Sequence, residues 1–145
     1  LLACAGLRRL GLADKITAPL ATDAFLPAIA QGAIGIETRS SDVRMRALLA
    51  PLDHPETSVC IAAERALLAR LDGSCRTPIA GLAVLGSGRL LLRSMILTPD
   101  GRVAHATMRQ GAPADGPDMG RDAADELLGR AGPDFLVGRP AEGAT

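Results

Sequence analysis

The amino-acid sequence predicts an α+β fold in which a three-stranded antiparallel sheet packs with helices. An amphipathic helical pattern ends near Leu71, and short apolar runs separated by turn residues follow it. A second amphipathic pattern comes after these runs. The predicted order is therefore helix, three strands, helix. The strands are expected at residues 79–85, 90–97 and about 102–109, and the closing helix at residues 119–130.

Turn residues separate these predicted elements. The sequence GSGR at residues 86–89 favours a hairpin turn, and Pro99-Asp100-Gly101 is a stronger turn signal. Residues 111–117 (GAPADGP) are predicted to form a loop, and Gly132 is predicted to end the last helix. The tail from Gly138 is expected to be mobile.

Composition excludes several classes of function. The 145 residues include 16 acidic and 16 basic side chains, so no net charge favours nucleic acid or an anionic membrane. No apolar run reaches the ~18–20 residues of a membrane span. Three cysteines without metal-like spacing predict no metal site and a reduced, cytoplasmic setting. Lys15 is the single lysine, and the abundant arginines suit an anionic small ligand.

The first third of the chain has a short and irregular pattern. It opens with LLACAGLRRLG, without an initiating Met and in mid-helix, so we expect residues to be missing upstream. That helix is predicted to stop at Gly11. Brief extended pieces are predicted at residues 16–20 and 25–29, and residues 31–39 are predicted to be a loop that feeds a buried strand.

Two helices are predicted before the sheet. Ser41 or Asp42 can cap a helix from Val43 to about residue 50. Asp53 or His54 can cap a longer helix, with Pro55 at its first position. The longer helix is expected to run to Leu71, to turn Cys60, Ala63, Leu67 and Leu71 inward, and to keep Glu64 and Arg65 on a solvated or ion-paired face.

The most informative candidate residue is Cys75, in the loop LDGSCRTPIAG at residues 71–81. The loop joins a helix to a strand, and neighbouring Arg76 favours the thiolate that chemistry at sulfur requires. The residues of this loop alone also fit an ordinary turn with a buried cysteine. Structural positions account for the other histidines and cysteines. His54 can cap a helix, His105 lies in a strand pattern, and Cys4 and Cys60 fall on apolar helix faces.

Three segments in order resemble the hydroxymethylbilane synthase (porphobilinogen deaminase) family. They are AGLRRLG at residues 5–11, LPAIAQGAIGIETR at 26–39 and HPETSVCIAAERALLARLDGSCRTPIAG at 54–81. The resemblance runs from Leu1 into the final helix, and its most specific element is the cysteine loop with the preceding AERALLARL.

The resemblance implies an activity and a cofactor. The family joins four porphobilinogen molecules head to tail with loss of ammonia, on a dipyrromethane cofactor that would be attached to Cys75 by a thioether. A soft thiolate suits capture of the electrophile left when ammonia departs. Arg9 would contact the carboxylates of the pyrrole chain, with Arg8 a weaker candidate, and Gln31 and Gly32 would line the cleft beside the cofactor. No residue of this chain is assigned as catalytic, because the family's catalytic aspartate is expected upstream of Leu1.

The resemblance also implies an organisation in three parts. Residues 1–30 would end a second α/β domain, residues 31–52 would return as a strand and helix to a first one, and residues 53–145 would form the cofactor-attachment domain. The two partial domains would be remnants of periplasmic-binding-protein-like domains. We therefore expect the isolated chain to be inactive and to self-associate, whereas the full-length protein would be a cytoplasmic monomer.

Two other kinds of protein stay open on the sequence. One is a non-catalytic α+β binding module in which the cysteine is incidental. The other is a thiol enzyme such as a cysteine hydrolase, which would need a histidine beside Cys75.

Overall fold

The computed structural model describes residues 1–72, 77–132 and 135. Within them the chain forms four α-helices and three strands, and the second half has the predicted order of helix, sheet and helix. The elements are α1 (Cys4–Arg9), α2 (Val43–Leu49), α3 (Pro55–Arg70), β1 (Ile79–Gly86), β2 (Arg89–Leu97), β3 (Ala104–Gly111) and α4 (Gly116–Ala131). The predicted α+β class with a three-stranded antiparallel sheet is confirmed.

The three strands form one antiparallel sheet in the order β1-β2-β3. Gly86 pairs with Arg89, which leaves a two-residue hairpin loop in which Ser87 and Gly88 both have positive φ. The second connection is longer because the Asp100 carboxylate accepts hydrogen bonds from the Thr98 hydroxyl and the Arg102 amide. These bonds hold Arg102 in the turn, so β3 begins at Ala104 and not near residue 102 as predicted.

One face of the sheet packs against α3 and α4 to form the core. Alternate residues of β2 are buried on this face, as expected for a half-covered sheet. The buried apolar residues are Ala63, Leu67, Leu71, Ile79, Ala83, Leu90, Leu92, Ile96, Met119, Ala123, Ala124 and Leu127. All of them lie between residues 63 and 127, so the core belongs to the unit that the sequence predicted.

Helix α4 begins earlier than predicted. A 3₁₀ turn at Pro113–Asp115 precedes it, and Gly116 and Pro117 open the helix instead of ending a loop. A Cβ on Gly116 would lie 2.9 Å from a methyl group of Leu90, so glycine lets the helix start against the sheet. At its other end, Gly132 has a φ of 80° and ends the helix as predicted.

Charged side chains tie α4 to β3. The Arg109 guanidinium pairs with Asp122 and Glu126, each at 2.5 Å, and the Thr107 hydroxyl donates to Glu126 at 2.7 Å. These hydrogen bonds, from Thr107 first and then Arg109, hold the pKa of the Glu126 carboxyl below its ordinary value.

Residues 1–52 differ from the rest of the chain because none of them is buried. The cap of α2 is confirmed, since the Asp42 carboxylate accepts the Met45 amide at 2.9 Å. The buried strand expected in residues 31–39 is wrong: this fully described stretch is irregular, and Ile34 is 94% exposed. The extended pieces expected at 16–20 and 25–29 lie outside the three-stranded sheet.

In the part of the chain that the structure describes, no helix is long and apolar enough to cross a bilayer. The same residues contain no group of three or more histidine, cysteine, aspartate or glutamate side chains placed to hold a metal ion. The tail predicted to be mobile lies outside the described residues.

Candidate functional site

The loop that contains Cys75 connects the end of α3 to the start of β1. Residues 73–76, Cys75 among them, lie outside the described residues, but both ends of the loop are fixed. Leu71 is buried in the core at the end of α3, and Ile79 is buried at the start of β1. The Leu97 amide donates to the Pro78 carbonyl at 3.0 Å and ties the incoming chain to β2. The described residues on both sides of the loop therefore belong to the packed core unit.

An irregular segment, residues 22–33, lies along the edge of the sheet at β1, and we call it the strap. The Gly81 amide donates to the Pro27 carbonyl at 3.0 Å, which attaches the strap to β1. A second attachment comes from β2, where the Arg93 guanidinium bonds the Asp23 carboxylate at 3.2 Å and the Thr22 carbonyl at 3.1 Å. The strap is therefore bonded to the edge strand β1 at Gly81 and to the central strand β2 at Arg93.

Gly81, the last residue of the cysteine-loop motif, permits close contact between β1 and the strap. A Cβ at this position would lie 2.6 Å from Cδ1 of Ile29 and 3.2 Å from Cδ2 of Leu67. Ile29 in turn packs against the hydrophobic core. Glycine lets the Ile29 side chain pack directly on β1, and a larger residue at position 81 would have to displace that side chain.

Glu64 on α3 holds the strap and β1 together. Its side chain is buried, with the residue 3% exposed, and its two oxygens accept separate backbone amides. Oε2 accepts the Ala30 amide of the strap at 2.7 Å, and Oε1 accepts the Ala83 amide of β1 at 2.8 Å. The prediction of a solvated or ion-paired face is wrong for Glu64, although Arg65 is exposed.

A signal for the burial of Glu64 was present in the sequence. Glu64 follows Cys60 by four residues and precedes Leu67 by three, so helical periodicity places it on the inward face. The negative charge of a glutamate side chain instead favours the solvent-exposed face of the helix, which is the face that was predicted. The backbone amides that satisfy it lie 34 residues before it and 19 residues after it in the chain.

Gln31 and Gly32 form an exposed turn directly after Ala30. Ala30 has a φ of 57° and Gly32 a φ of 87°. Two backbone hydrogen bonds, from Gln31 to Ala28 and from Ala33 to Ala30, close the turn. Among the described residues, no atom lies within 4 Å of a Cβ built on Gly32, so this part of the structure leaves the backbone open to approach by a ligand. The turn borders a cleft of about 320 Å³ that α3 and β1 also line.

Arg9 is exposed in the last turn of α1, next to Arg8. No described residue forms a hydrogen bond or ion pair with its guanidinium. A cleft of about 820 Å³ lies between α1 and the strap, and both Leu7 and Gln31 line it, but Arg9 does not. The structure therefore brings Gln31 and Gly32 to the cysteine-bearing unit and does not bring Arg9 to them.

The histidines and the other cysteines occupy structural positions. His54 caps α3 by accepting the Thr57 amide at 3.3 Å, and the 16 residues of α3 span about 24 Å between it and the Cys75 loop. The ring of His105 packs on Phe135 with centroids 5.0 Å apart. Burial raises the pKa of the Cys60 thiol, which makes Cys60 a poor nucleophile.

The fold and its site define an α+β domain that carries a cysteine loop at one end of its sheet and a glycine turn strapped to the adjacent strand. Two family models match the chain in order. The model described as "Porphobilinogen deaminase, dipyromethane cofactor binding domain" matches residues 1–47. The model described as "Porphobilinogen deaminase, C-terminal domain" matches residues 58–129.

Curated relatives agree with these models. The porphobilinogen deaminase of Nitrobacter winogradskyi is 53% identical over 137 residues, which are 94% of this chain and 43% of the relative. The Paracoccus denitrificans protein of that name is 52% identical over 93% of this chain and 43% of its own length. The chloroplastic protein of Pisum sativum is 50% identical over 94% of this chain and 38% of its own length.

The chain therefore belongs to the porphobilinogen deaminase family, as its three sequence segments indicated. It spans about 43% of the length of the bacterial relatives that it matches.

Proposed function

We propose that this chain is the cysteine-bearing part of a hydroxymethylbilane synthase, the transferase of tetrapyrrole biosynthesis that joins four porphobilinogen molecules with loss of ammonia. One observation carries the proposal. The strap that contains Gln31 and Gly32 is hydrogen-bonded to β1, the strand that follows the Cys75 loop. Two segments that resemble the family are thus joined in space. The match to a family model described by its dipyromethane cofactor supports the same activity.

In this proposal Cys75 holds the dipyrromethane cofactor through a thioether. The cofactor, when bound, supplies the pyrrole terminus to which substrate units are added. The Gln31–Gly32 turn fits such a group: no described atom crowds the backbone at Gly32, and Gln31 is exposed with a side-chain amide that can donate and accept hydrogen bonds.

Arg9 would bind carboxylates of the growing pyrrole chain. An exposed guanidinium without an ion-pair partner among the described residues is free to donate two parallel hydrogen bonds to a carboxylate. Arg8, its neighbour in the same exposed turn, is the weaker candidate for this role. The Arg9 contact requires α1 and the cysteine-bearing unit to face a common ligand.

We further propose the division into residues 1–30, 31–52 and 53–145. The distribution of burial supports the boundary before residue 53, since the buried core residues all lie after it and residues 1–52 contain no buried side chain. The first two segments would complete two α/β domains related to periplasmic binding proteins. The catalytic aspartate would lie in the part of the relatives that this chain does not match. The whole protein would act as a cytoplasmic monomer without nucleic acid or membrane partners.

The proposal is tested with a chimera in which this sequence replaces the matching 43% of the Nitrobacter winogradskyi relative. We expect the chimera to consume porphobilinogen with release of ammonia, the Cys75→Ser variant to lose this activity, and the matched Cys60→Ser variant to keep it. The 145-residue chain alone should not turn over porphobilinogen. Full activity of the Cys75→Ser chimera would contradict the role of Cys75.

A further inference from the structure

The buried carboxylate of Glu64 links the two segments that carry the proposed cofactor residues. Ala30, which donates to Oε2, directly precedes the Gln31–Gly32 turn. Ala83, which donates to Oε1, lies in β1, the strand that leads out of the Cys75 loop. One side chain of α3 therefore sets the position of the turn relative to that strand.

Both oxygens of Glu64 are needed for this arrangement. The two side-chain oxygens of Glu64 act as acceptors, and each accepts one backbone amide. The ion pairs found among the described residues do not include Glu64. Its role in the described structure is thus to orient backbone and not to neutralise a cation.

Resting on the function proposed above, we propose that Glu64 is a positioning residue of the synthase. Its carboxylate fixes the Gln31–Gly32 turn against β1, so that the turn and the pyrrole chain held at Cys75 keep one alignment through successive additions. Loss of this contact should leave the thioether in place and slow the additions, because the tether is covalent and the alignment is not.

The first test is amide hydrogen exchange of the chimera, detected by NMR. In Glu64→Gln one acceptor oxygen becomes an NH₂ group that can only donate, so one of the two backbone amides loses its partner. We expect exchange at Ala30 or Ala83 to accelerate by about tenfold or more, as for the loss of one charge-assisted hydrogen bond. Amides in the β2–β3 ladder should be unaffected. Glu56→Gln, which removes an exposed carboxylate from the same helix, should leave both amides unchanged.

The second test is turnover per cofactor-loaded molecule, with the loaded fraction measured by intact mass. We expect Glu64→Gln to keep the adduct on Cys75 and to lower kcat by about tenfold or more, with KM for porphobilinogen nearly unchanged. A purely structural role would reduce the amount of folded, loaded enzyme but not the rate of each loaded molecule. Unchanged exchange at both Ala30 and Ala83, or unchanged kcat per loaded molecule, would overturn the proposal.

Ile29→Ala provides a second variant if Glu64→Gln does not fold. It loosens the strap and keeps Glu64 bonded to Ala83, so exchange should accelerate at Ala30 and not at Ala83, again with a lower kcat per loaded molecule. Faster exchange at Ala30 with full kcat would overturn the positioning role. If the unaltered chimera gains no adduct on Cys75, the proposed function fails, and the exchange data still decide whether Glu64 holds the turn.

Discussion

The crossing of α3 and α4 at Gly120 gives the sharpest prediction about the fold. A Cβ built on Gly120 would lie 2.3 Å from the Ala63 carbonyl oxygen and 2.9 Å from the Leu67 amide nitrogen. Both are backbone atoms of α3, so no side-chain rotation can relieve the contact. Ordinary contact begins near 3.4 Å, which means that an alanine at position 120 forces the two helices apart by about 1 Å.

The size of the effect follows from two opposing contributions. Alanine in place of glycine within a helix stabilises by about 0.5–1 kcal/mol. Overpacking a core costs about 1–3 kcal/mol, and a backbone obstacle places Gly120→Ala at the upper end. We therefore expect Gly120→Ala to lower the free energy of unfolding by about 2 kcal/mol.

Gly129→Ala is the matched control in the same helix. No atom of the described residues lies within 4 Å of a Cβ at this exposed position, so only the gain in helix propensity remains. Urea unfolding followed by circular dichroism should show the two variants about 2.5 kcal/mol apart with opposite signs. Their midpoint temperatures should differ by roughly 10–20 °C for a domain of this size. Two variants of equal stability would refute the close packing of α3 on α4.

Three further predictions follow from the packing and the charges. Leu67→Ala, at a fully buried position, should lower the free energy of unfolding by about 2–5 kcal/mol, while Leu48→Ala, at a position 62% exposed, should change it by less than about 0.5 kcal/mol in urea titrations. Hydrogen bonds from Thr107 and Arg109 lower the pKa of Glu126, so its carboxylate stabilises the fold above the ordinary pKa of 4.5, and this contribution is lost as the pH falls through the lower folded value. Between pH 6 and pH 2 the melting temperature should therefore decrease less steeply for Glu126→Gln than for the unaltered chain. An identical pH dependence of the two melting temperatures would contradict the assignment. The apolar side chains exposed before α3 should make the 145-residue chain self-associate in light scattering, and a monomer with that region protected from hydrogen exchange would contradict this expectation.

The elements that sequence reasoning located correctly depend on neighbouring residues. The cap of α2 by Asp42 and the cap of α3 by His54 each involve a side chain and an amide three residues later. The β1–β2 hairpin likewise follows from turn residues between two apolar runs. Local chemistry of this kind can be recognised without knowledge of the tertiary structure.

The errors arose where a segment depends on distant parts of the chain. The apolar pattern of residues 31–39 predicted a buried strand, but a strand requires a neighbour to pair with and a layer to cover it, and the described residues supply neither. The helical periodicity of α3 places Glu64 on the inward face, but the backbone amides that bond to Glu64 could be identified only from the fold. The start of α4 also depends on a distant contact, since Gly116 packs against Leu90 of the sheet. The start of β3 is the exception, because the local turn at Asp100 extends to Arg102.

The candidate site was predicted in part. Gln31 and Gly32 were chosen because they match a family segment, and the structure attaches that segment to the strand after the cysteine loop. Arg9 was chosen in the same way, and its role stays a prediction because no described contact joins it to the unit. Cys75 itself lies outside the described residues, so its assignment rests on sequence and on the two fixed ends of its loop.

The most direct test of the central claim is the intact mass of the chimera after exposure to porphobilinogen, with the modified peptide located by fragmentation. The account predicts an increment of two deaminated porphobilinogen units on Cys75, absent in Cys75→Ser and kept in Cys60→Ser. An unmodified Cys75 thiol, as a non-catalytic binding module would show, or an adduct that persists in Cys75→Ser would contradict it.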